Sequence, residues 1–428
     1  MAKMNKVFML GLIFCVAGFS LFAGGQQDAA GDGAVSLTFF ETMTSPGRTA
    51  TIQGIIDDYK AANPGAEINL ISPPYEQADN KLTLMLTSNQ DLDVVEVRDH
   101  TIKQFVNNGK LMDLSGYLKD WDEAGDLLPL ANSAARTVDN TPYLIPQFFF
   151  VKALFVRTDI LKQYGYDTMP ATMEEMYEMA IAISGENAAQ FGFGFRGKGS
   201  SFKISDVMIL SDLDNIDPAN VYKTSDGKFS FNNDVAREAV ANYVDLFRNA
   251  VPSDGINWGF NEQVNAFISG TTPFLIQDPD TVALVNEQLG EENYTVIPIP
   301  VGKSGRSYLD YGFAGLGIPS YTKKADEAWD FISYMTGAEK NAEFCKAYGP
   351  LPIHGASYAS DPYFSSGVYK AWETTMSDTD TYSFIKYPLD SPKYPGWAQV
   401  QEQYMQSLLI GEITVDEAIA KWSGYWEY

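Results

Sequence analysis

A regular alternation of strand-like and helix-like segments near the start of the chain constrains its fold more than any other feature. Residues 35–39 alternate apolar and polar side chains, which indicates a strand. Apolar residues recur at helical spacing over 52–59, a strand follows around Ile68, and a second helix surrounds Leu82. A β-branched strand over 92–97 completes the series. This order predicts an α/β fold that contains a parallel sheet with right-handed crossovers.

Later helices are marked by sequence signals at their N-termini. Thr172-Met173-Glu174-Glu175 and Thr414-Val415-Asp416-Glu417 both fit the capping box, in which Thr and Glu satisfy two free backbone N–H groups. The chain of 428 residues is long enough for two domains, and no linker divides it into two contiguous halves. A two-lobed protein would therefore cross between its lobes several times.

The first residues have the features of a secretory signal peptide. Lys3 and Lys6 precede an uncharged, largely apolar run, and small polar residues follow it. We therefore expect residues 1–23 to be a signal peptide, residues 24–33 to be a flexible leader, and the mature protein to be periplasmic or extracytoplasmic. The apolar run is shorter than the ~20 residues that a membrane-spanning helix needs, which disfavours a transmembrane anchor.

Cys15 raises the alternative of a lipid anchor. The residue before it, Phe14, is bulky where lipidation sites have a small residue, and the residues after it are apolar rather than linker-like. Lipidation at Cys15 is therefore the less favoured expectation. Cleavage after residue 23 would leave Cys345 as the one cysteine of the mature chain, and we expect it to be buried and inert.

Charge and composition exclude several classes of function. The chain has 55 acidic and 30 basic residues, and a net charge of −25 disfavours nucleic acids and anionic membranes. Two cysteines and two histidines exclude a disulfide scaffold and leave little for a metal site. We find no phosphate-binding glycine motif, no G-x-S-x-G elbow and no H-E-x-x-H. We therefore expect neither a cofactor, nor a metal, nor catalysis.

Aromatic residues near Gly, Pro or Asp are the most informative chemical signal. Flat rings pack on the apolar faces of sugars, while carboxylates and amides bind the hydroxyl groups. That combination suits a small polar ligand. Seven such residues lie mostly outside helical stripes: Trp258, Tyr311, Phe313, Tyr348, Trp372, Tyr394 and Trp397.

The order of several motifs resembles the extracellular solute-binding proteins of ABC importers, especially the family-1 group that mostly binds carbohydrates. The first is a helix that ends in Asn63-Pro64-Gly65 before a strand, and the second pairs Asp93-Val94-Val95 with the Gly-x-Leu-x-Asp-Leu pattern over 109–114. Met173 stands where that family has a tryptophan, and residues 277–280 stand where it often has a Gly-Trp element. The remaining stretches that carry the resemblance are 141–146, 169–176, 267–274 and 411–418.

The resemblance implies a periplasmic-binding-protein fold of type II, with two α/β lobes, a hinge of several crossovers and a ligand cleft. Each lobe would be a mainly parallel sheet flanked by helices. By that analogy, residues 34–148 and 312–365 form lobe 1, and residues 149–311 and 366–428 form lobe 2. The implied function is the capture of a sugar or oligosaccharide by hinge closure and its delivery to an ABC permease in the membrane. We expect a monomer.

The predicted site follows from the rule that ligands gather at the carboxyl ends of parallel strands. Trp258, Tyr311 and Trp397 are expected to stack on sugar rings. Glu41, Asp99 and Asp278 are expected to accept hydrogen bonds from hydroxyl groups. The full set of predicted ligand-binding residues is Phe40, Glu41, Tyr75, Glu76, Asp99, His100, Trp258, Asp278, Tyr311 and Trp397.

Three alternatives remain open from the sequence. A secreted carbohydrate-active enzyme would need two essential carboxylates. A binder of a cationic solute such as a polyamine would be favoured by the acidic balance and by Asp278 with Asp280. A sensory adaptor would present its liganded form to a receptor instead of a permease.

Overall fold

The computed structural model describes residues 35–186, 190–199, 201–389 and 391–427. The predicted signal peptide, the leader and Cys15 lie outside the described residues. Within the described part of the chain, no helix is long and apolar enough to cross a membrane.

The strands are short and fall into two larger sheets and two small ones. In chain order they are β1 (Val35–Phe40), β2 (Ala66–Ile71), β3 (Val94–Arg98), β4 (Ile145–Val151), β5 (Ala153–Arg157), β6 (Phe193–Gly194), β7 (Ile216–Asp217), β8 (Asn220–Thr224), β9 (Phe274–Gln277), β10 (Tyr294–Ile297), β11 (Ser307–Leu309), β12 (Tyr311–Gly317) and β13 (Tyr382–Phe384).

The helices cover the sheets and make up most of the regular structure. In chain order they are α1 (Pro46–Ala62), α2 (Tyr75–Thr87), α3 (Ile102–Asn107), α4 (Ser115–Asp120), α5 (Pro129–Ala135), α6 (Thr158–Gln163), α7 (Met173–Glu186), α8 (Ser201–Leu210), α9 (Asp234–Ala250), α10 (Phe260–Ile268), α11 (Thr281–Leu289), α12 (Ala325–Thr336), α13 (Ala338–Tyr348), α14 (Gly355–Ser360), α15 (Pro362–Ser365), α16 (Lys370–Ser377), α17 (Tyr394–Leu409) and α18 (Val415–Trp426).

The first sheet has five strands in the order β2-β1-β3-β12-β4. β1 pairs in parallel with β2 over its whole length, from Val35 beside Ala66 to Phe40 beside Ile71, and in parallel with β3. β12 runs antiparallel to both β3 and β4. The predicted strand–helix–strand–helix–strand unit is confirmed, because β1, α1, β2, α2 and β3 follow one another in the chain.

The second sheet has four strands in the order β10-β5-β9-β6. β5 runs antiparallel to both of its neighbours, and only β6 and β9 are parallel. The α/β fold class is confirmed, but the prediction of mainly parallel sheets is wrong for this sheet. The pattern of apolar residues in a strand shows which of its faces are buried, and it does not show the direction of the neighbouring strand.

Predicted caps and core residues are found where the sequence placed them. The Thr414 hydroxyl accepts from the backbone N–H of Glu417, whose carboxylate accepts from the backbone N–H of Thr414 at 2.8 Å. Thr172 and Glu175 make the equivalent contact at the start of α7, at 3.1 Å. Cys345 is buried as expected, and burial raises the pKa of its thiol well above its usual range.

Two connections between strands are each a single residue long. Lys152 is the single residue between β4 of the first sheet and β5 of the second. Asp310 is the single residue between β11 and β12. These two connections therefore lie at the edge of the first sheet where β4 ends and β12 begins.

Candidate ligand-binding cleft

A cleft opens at the edge of the first sheet where β1 and β3 end, as the rule for parallel strands predicts. It contains two adjoining cavities. The narrow cavity, of about 470 Å³, is lined by residues of both larger sheets. The wide cavity, of about 890 Å³, lies beside it. The two cavities share Asp99, His100, Lys203 and Phe313 in their walls.

Strand ends supply the walls of the narrow cavity. From the first sheet, Asp99 follows β3, and Phe148 and Phe150 lie on β4. From the second sheet, Gln277 ends β9 and Asp278 follows it. The polar groups and rings therefore come from rigid elements of both sheets, which suits the binding of a defined ligand.

A cluster of charged side chains lines the narrow cavity between the two sheets. The Lys152 ammonium lies 3.4 Å from the Asp278 carboxylate and 3.5 Å from that of Asp310. Lys203, on α8, lies 3.2 Å from Asp310. Burial alone would raise the pKa of Asp310, but Lys152 and Lys203 together lower it. These opposite charges therefore compensate one another in the cavity wall.

His100 lies between two carboxylates at the junction of the cavities. Its Nε2 lies 3.2 Å from Asp79 and its Nδ1 lies 3.1 Å from Asp99. The hydrogen bonds with Asp79 and then Asp99 raise the pKa of His100 to about 9, so the ring is a cation at neutral pH. Arg98, also 3.2 Å from Asp79, completes this group.

Open aromatic rings border the narrow cavity. Tyr75 has 48% of its surface exposed and Phe260 has 37%, although both are large apolar residues. The Arg98 guanidinium lies 4.2 Å from the centre of the Tyr75 ring and fixes that ring by a cation–π contact. Their exposed faces are available for the apolar face of a ligand.

The structure brings five of the ten predicted site residues together in the cleft. Tyr75, Asp99, His100 and Asp278 line the narrow cavity, and Tyr311 lines the wide one beside Asp99 and His100. Burial and then the Asp99 carboxylate raise the pKa of Tyr311 to about 12. Asp99 directly follows β3 and Tyr311 begins β12 in the first sheet, Asp278 directly follows β9 in the second sheet, and Tyr75 begins α2.

Phe40 and Glu41 are buried and do not reach the cleft, which contradicts the prediction for both. Phe40 is the last residue of β1 and lies in the core. The Glu41 carboxylate lies 2.7 Å from the buried guanidinium of Arg48 and accepts hydrogen bonds from Thr49 and Ser72. The Glu41 side chain points into the core because Arg48 on α1 provides a buried countercharge.

Trp397 is also corrected from a ligand contact to a core residue. Pro395 and Gly396 predicted a loop, but they form the first turn of α17, where Pro is well tolerated. The Trp397 ring is fully buried, 5.0 Å from the Tyr222 ring and 5.3 Å from the Trp426 ring.

Two further predicted residues lie outside both cavities. Glu76 is exposed in the first turn of α2. Trp258 is half-buried, and its indole N–H donates to Asp254 at 3.1 Å. Neither lines the cleft in this conformation.

Sequence reasoning missed several residues of the cleft. Lys152, Lys203 and Arg196 are single cations in unremarkable sequence contexts, and Phe260 begins an amphipathic helix. The signal that could have pointed to Lys152 is its position between two apolar strands, where a charge needs a buried partner.

Metal chemistry finds no support in the described ranges. No group of three or more His, Cys, Asp or Glu side chains there could hold a metal ion. The Asp278 carboxylate is paired with Lys152.

Known proteins with this architecture are two-lobed binding proteins. The maltose-bound MalE3 of T. maritima superposes with a TM-score of 0.73 at 22% identity, covering 91% of this chain and 98% of that one. The sugar-binding protein MalE of Xanthomonas citri has a TM-score of 0.78 at 18% identity, covering 91% and 96%. At these identities the likeness establishes the fold.

Sequence comparison establishes the family. Residues 44–342 match the model of the bacterial extracellular solute-binding proteins, and the chain belongs to that family. A Brucella abortus relative described as a binding protein is 23% identical over 93% of each chain. A probable ABC transporter-binding protein of Deinococcus radiodurans is 27% identical over 83% of this chain and 86% of its own. Because the family consists of solute-binding proteins, the expectation of a non-enzymatic protein is confirmed.

Proposed function

We propose that this protein captures a sugar or oligosaccharide in the cleft, outside the cytoplasm, and delivers it to an ABC permease. The observation that carries the proposal is the pairing of open aromatic rings with fixed polar groups in one cleft. Tyr75 and Phe260 offer apolar faces, while Asp99 and Gln277 offer hydrogen-bonding groups. Sugars need both kinds of contact, because each ring has apolar faces and a rim of hydroxyl groups.

The size of the cleft supports a ligand longer than one sugar. The two cavities measure about 470 and about 890 Å³ and adjoin along shared walls. Pockets for small molecules typically measure about 300–1,000 Å³, so the two together leave room for several rings. The maltose bound to MalE3 of T. maritima is consistent with this class of ligand.

Hinge closure is the mechanism that this geometry favours. The narrow cavity has walls from both larger sheets, which are joined directly through Lys152. A ligand that touches both walls binds best when they are close together, and it therefore shifts the protein toward a closed state. The lobes, with boundaries near 148, 311 and 365, would move as units, and the closed form would dock on the permease.

Location and assembly are part of the proposal. The basic and then apolar start of the chain, together with the extracellular family, supports export by a signal peptide to a place outside the cytoplasm. We propose that the protein acts there as a monomer. A lipid anchor at Cys15 stays the less favoured form. A sensory adaptor would use the same cleft and differ only in the partner of the closed state.

A binder of cationic solutes is less well supported. The Asp278 carboxylate, which together with Asp280 suggested it, lies 3.4 Å from Lys152, and Asp310 is shared by Lys152 and Lys203. Asp278 and Asp310 are already neutralised, so a polyamine would have to displace a lysine from them. Burial and then the Asp278 charge raise the pKa of Asp280 to about 7, which reduces its negative charge at neutral pH.

A thermal-shift screen of residues 24–428 tests the proposal. The panel comprises neutral and acidic saccharides, polyamines and amino acids. A saccharide at 100 times its dissociation constant should add about 2.7 kcal/mol to the free energy of unfolding. Stabilisation by polyamines or amino acids alone would overturn the ligand class and leave the family unchanged.

A further inference from the structure

The wide cavity carries more positive than negative side chains in a chain that is strongly acidic. The whole sequence has a net charge of −25. Among the described residues that line this cavity, Asp99 and Asp139 are the carboxylates. The cationic residues in the same wall are His100, Lys103, Arg136, Lys203 and Lys386. A local excess of cations is unexpected in a chain with this negative net charge, and it suggests that the cavity binds an anionic group.

Lys103, Arg136 and Lys386 of the wide cavity differ from Lys152 and Lys203 in how they are paired. In the narrow cavity, Lys152 and Lys203 share the carboxylate of Asp310. In the wide cavity, Lys103, Arg136 and Lys386 have no carboxylate within 4.0 Å among the described residues. Positive charge at this end of the cleft is therefore available to a ligand.

Arg136 is held in a position that presents its free donors. It directly follows α5, and its Nη1 donates to the backbone oxygen of Asn132 at 3.2 Å and to the Asn132 side-chain oxygen at 3.0 Å. The other guanidinium nitrogens have no hydrogen-bond partner within the described ranges. A guanidinium anchored on one side loses little conformational entropy when its free N–H groups bind an oxyanion.

We propose that the captured saccharide carries an acidic group, and that the wide cavity binds this group through Arg136, Lys103 and Lys386. The group is an oxyanion, either the carboxylate of a uronic acid or a sulfate or phosphate ester. This inference rests on the proposed function and deepens it, because the neutral part of the ligand would occupy the narrow cavity.

Electrostatics gives the cation excess a role in capture. The acidic surface repels an anion at long range, but salt screens that repulsion beyond about 8 Å at physiological ionic strength. Inside the cleft, charges of one sign on poorly polarisable walls concentrate the field on the ligand. The local cations therefore decide whether an acidic saccharide is held.

Matched acidic and neutral probes test the inference by isothermal titration calorimetry. The pairs are trigalacturonate with its methyl ester, a sulfated disaccharide with its desulfated form, and glucose 6-phosphate with glucose. We expect one acidic probe or more to bind at least about tenfold more tightly than its neutral partner, and added salt to weaken that binding. The pair that shows the difference identifies the oxyanion.

Variants assign the effect to the wide cavity. Arg136→Gln and, separately, Lys103→Gln should each weaken the acidic probe by about tenfold and leave the neutral probe unchanged. Two variants keep the test valid if one fails to fold, which thermal unfolding without ligand reports. Lys119→Gln is the matched control, because Lys119 is an exposed lysine on α4 outside both cavities.

The outcomes separate this inference from the proposed function. Equal binding of acidic and neutral partners, or binding of neutral probes alone, would overturn the acidic ligand and leave saccharide capture intact. Failure of every saccharide in both panels would overturn both. Tight acidic binding that Arg136→Gln and Lys103→Gln do not weaken would place the anion elsewhere and would contradict the assignment.

Discussion

The Lys152 ammonium lies 3.5 Å from the Asp310 carboxylate at the side of the first sheet that borders the cleft. The chain leaves this sheet at Lys152, after β4, and returns to it at Asp310, before β12. Each is the single residue between two strands. Asp310 also binds Lys203 of α8, so one carboxylate ties both connections to a helix. The ion cluster therefore lies where a hinge between the sheets would pivot.

Removal of the central carboxylate should destabilise the protein. Asp310 is 2% exposed, and Asp310→Asn would leave the ammonium groups of Lys152 and Lys203 without their shared countercharge. We expect a loss of about 3 kcal/mol in the free energy of unfolding, measured by urea denaturation. Asp226→Asn is the control, because it breaks the exposed Asp226–Lys228 pair and should change little. Equal stability of Asp310→Asn and the wild type would show that the cluster has no structural role.

Asp206 should give the protein a distinctive pH dependence. It is fully buried, and it accepts hydrogen bonds from the Tyr222 hydroxyl and the Gln401 amide, each at 2.6 Å. Burial raises its pKa to about 7. In the unfolded chain an aspartate titrates near ~3.9, so the folded state binds the extra proton between about pH 4 and pH 7. Stability should fall as pH rises through that window, by up to about 4 kcal/mol.

Asp206→Asn isolates this contribution, because an amide imitates the protonated carboxyl group. The variant should lose less stability than the wild type between about pH 5 and about pH 8 in urea denaturation. The exposed Asp57→Asn is the control and should follow the wild-type profile. Parallel profiles for Asp206→Asn and the wild type would contradict a raised pKa for Asp206.

Trp397→Ala should affect stability and leave ligand binding unchanged. The ring is fully buried among Tyr222, Tyr425 and Trp426, so its removal creates a cavity. We expect a loss of about 3–5 kcal/mol in the free energy of unfolding and an unaltered Kd at a temperature where the variant is folded. Weaker ligand binding at unchanged stability would contradict the core assignment and support Trp397 as a ligand contact.

The open rings of the narrow cavity should contribute directly to affinity. Tyr75→Ala and Phe260→Ala each remove an exposed apolar face that lines the cleft, and each should weaken a bound saccharide by about 1 kcal/mol. Calorimetric titration measures the change. Leu84→Ala is the control, since Leu84 lies on α2 with Tyr75, is 69% exposed and lies outside both cavities. An equal loss in all three variants would exclude a specific role for the rings.

Local sequence patterns predicted the first three strands of the first sheet well, because the signals for these strands and their helices lie within each segment. Alternation and helical spacing identified β1, α1, β2, α2 and β3, and the ends of parallel strands then predicted Asp99 and Tyr75 at the cleft. The direction of β5 against β9 depends on contacts between residues far apart in sequence, and no local signal encodes it.

The predictions for Glu41 and Trp397 were wrong because contacts with residues elsewhere in the fold decide where these side chains lie. Glu41 follows β1 as the rule requires, yet Arg48 turns its carboxylate into the core. Trp397 follows a Pro-Gly pair that is equally compatible with a loop and with the first turn of a helix. The cations of the wide cavity, such as Arg136 and Lys386, come from segments about 250 residues apart, and only the fold brings them together.

A crystal structure of the protein with the saccharide that gives the largest thermal shift would test ligand capture most directly. We expect the saccharide to lie against Tyr75, Phe260 and Asp99, with the two larger sheets closer together than in the ligand-free protein. A saccharide bound on a surface away from both cavities, with the sheets unmoved, would contradict capture by closure of this cleft.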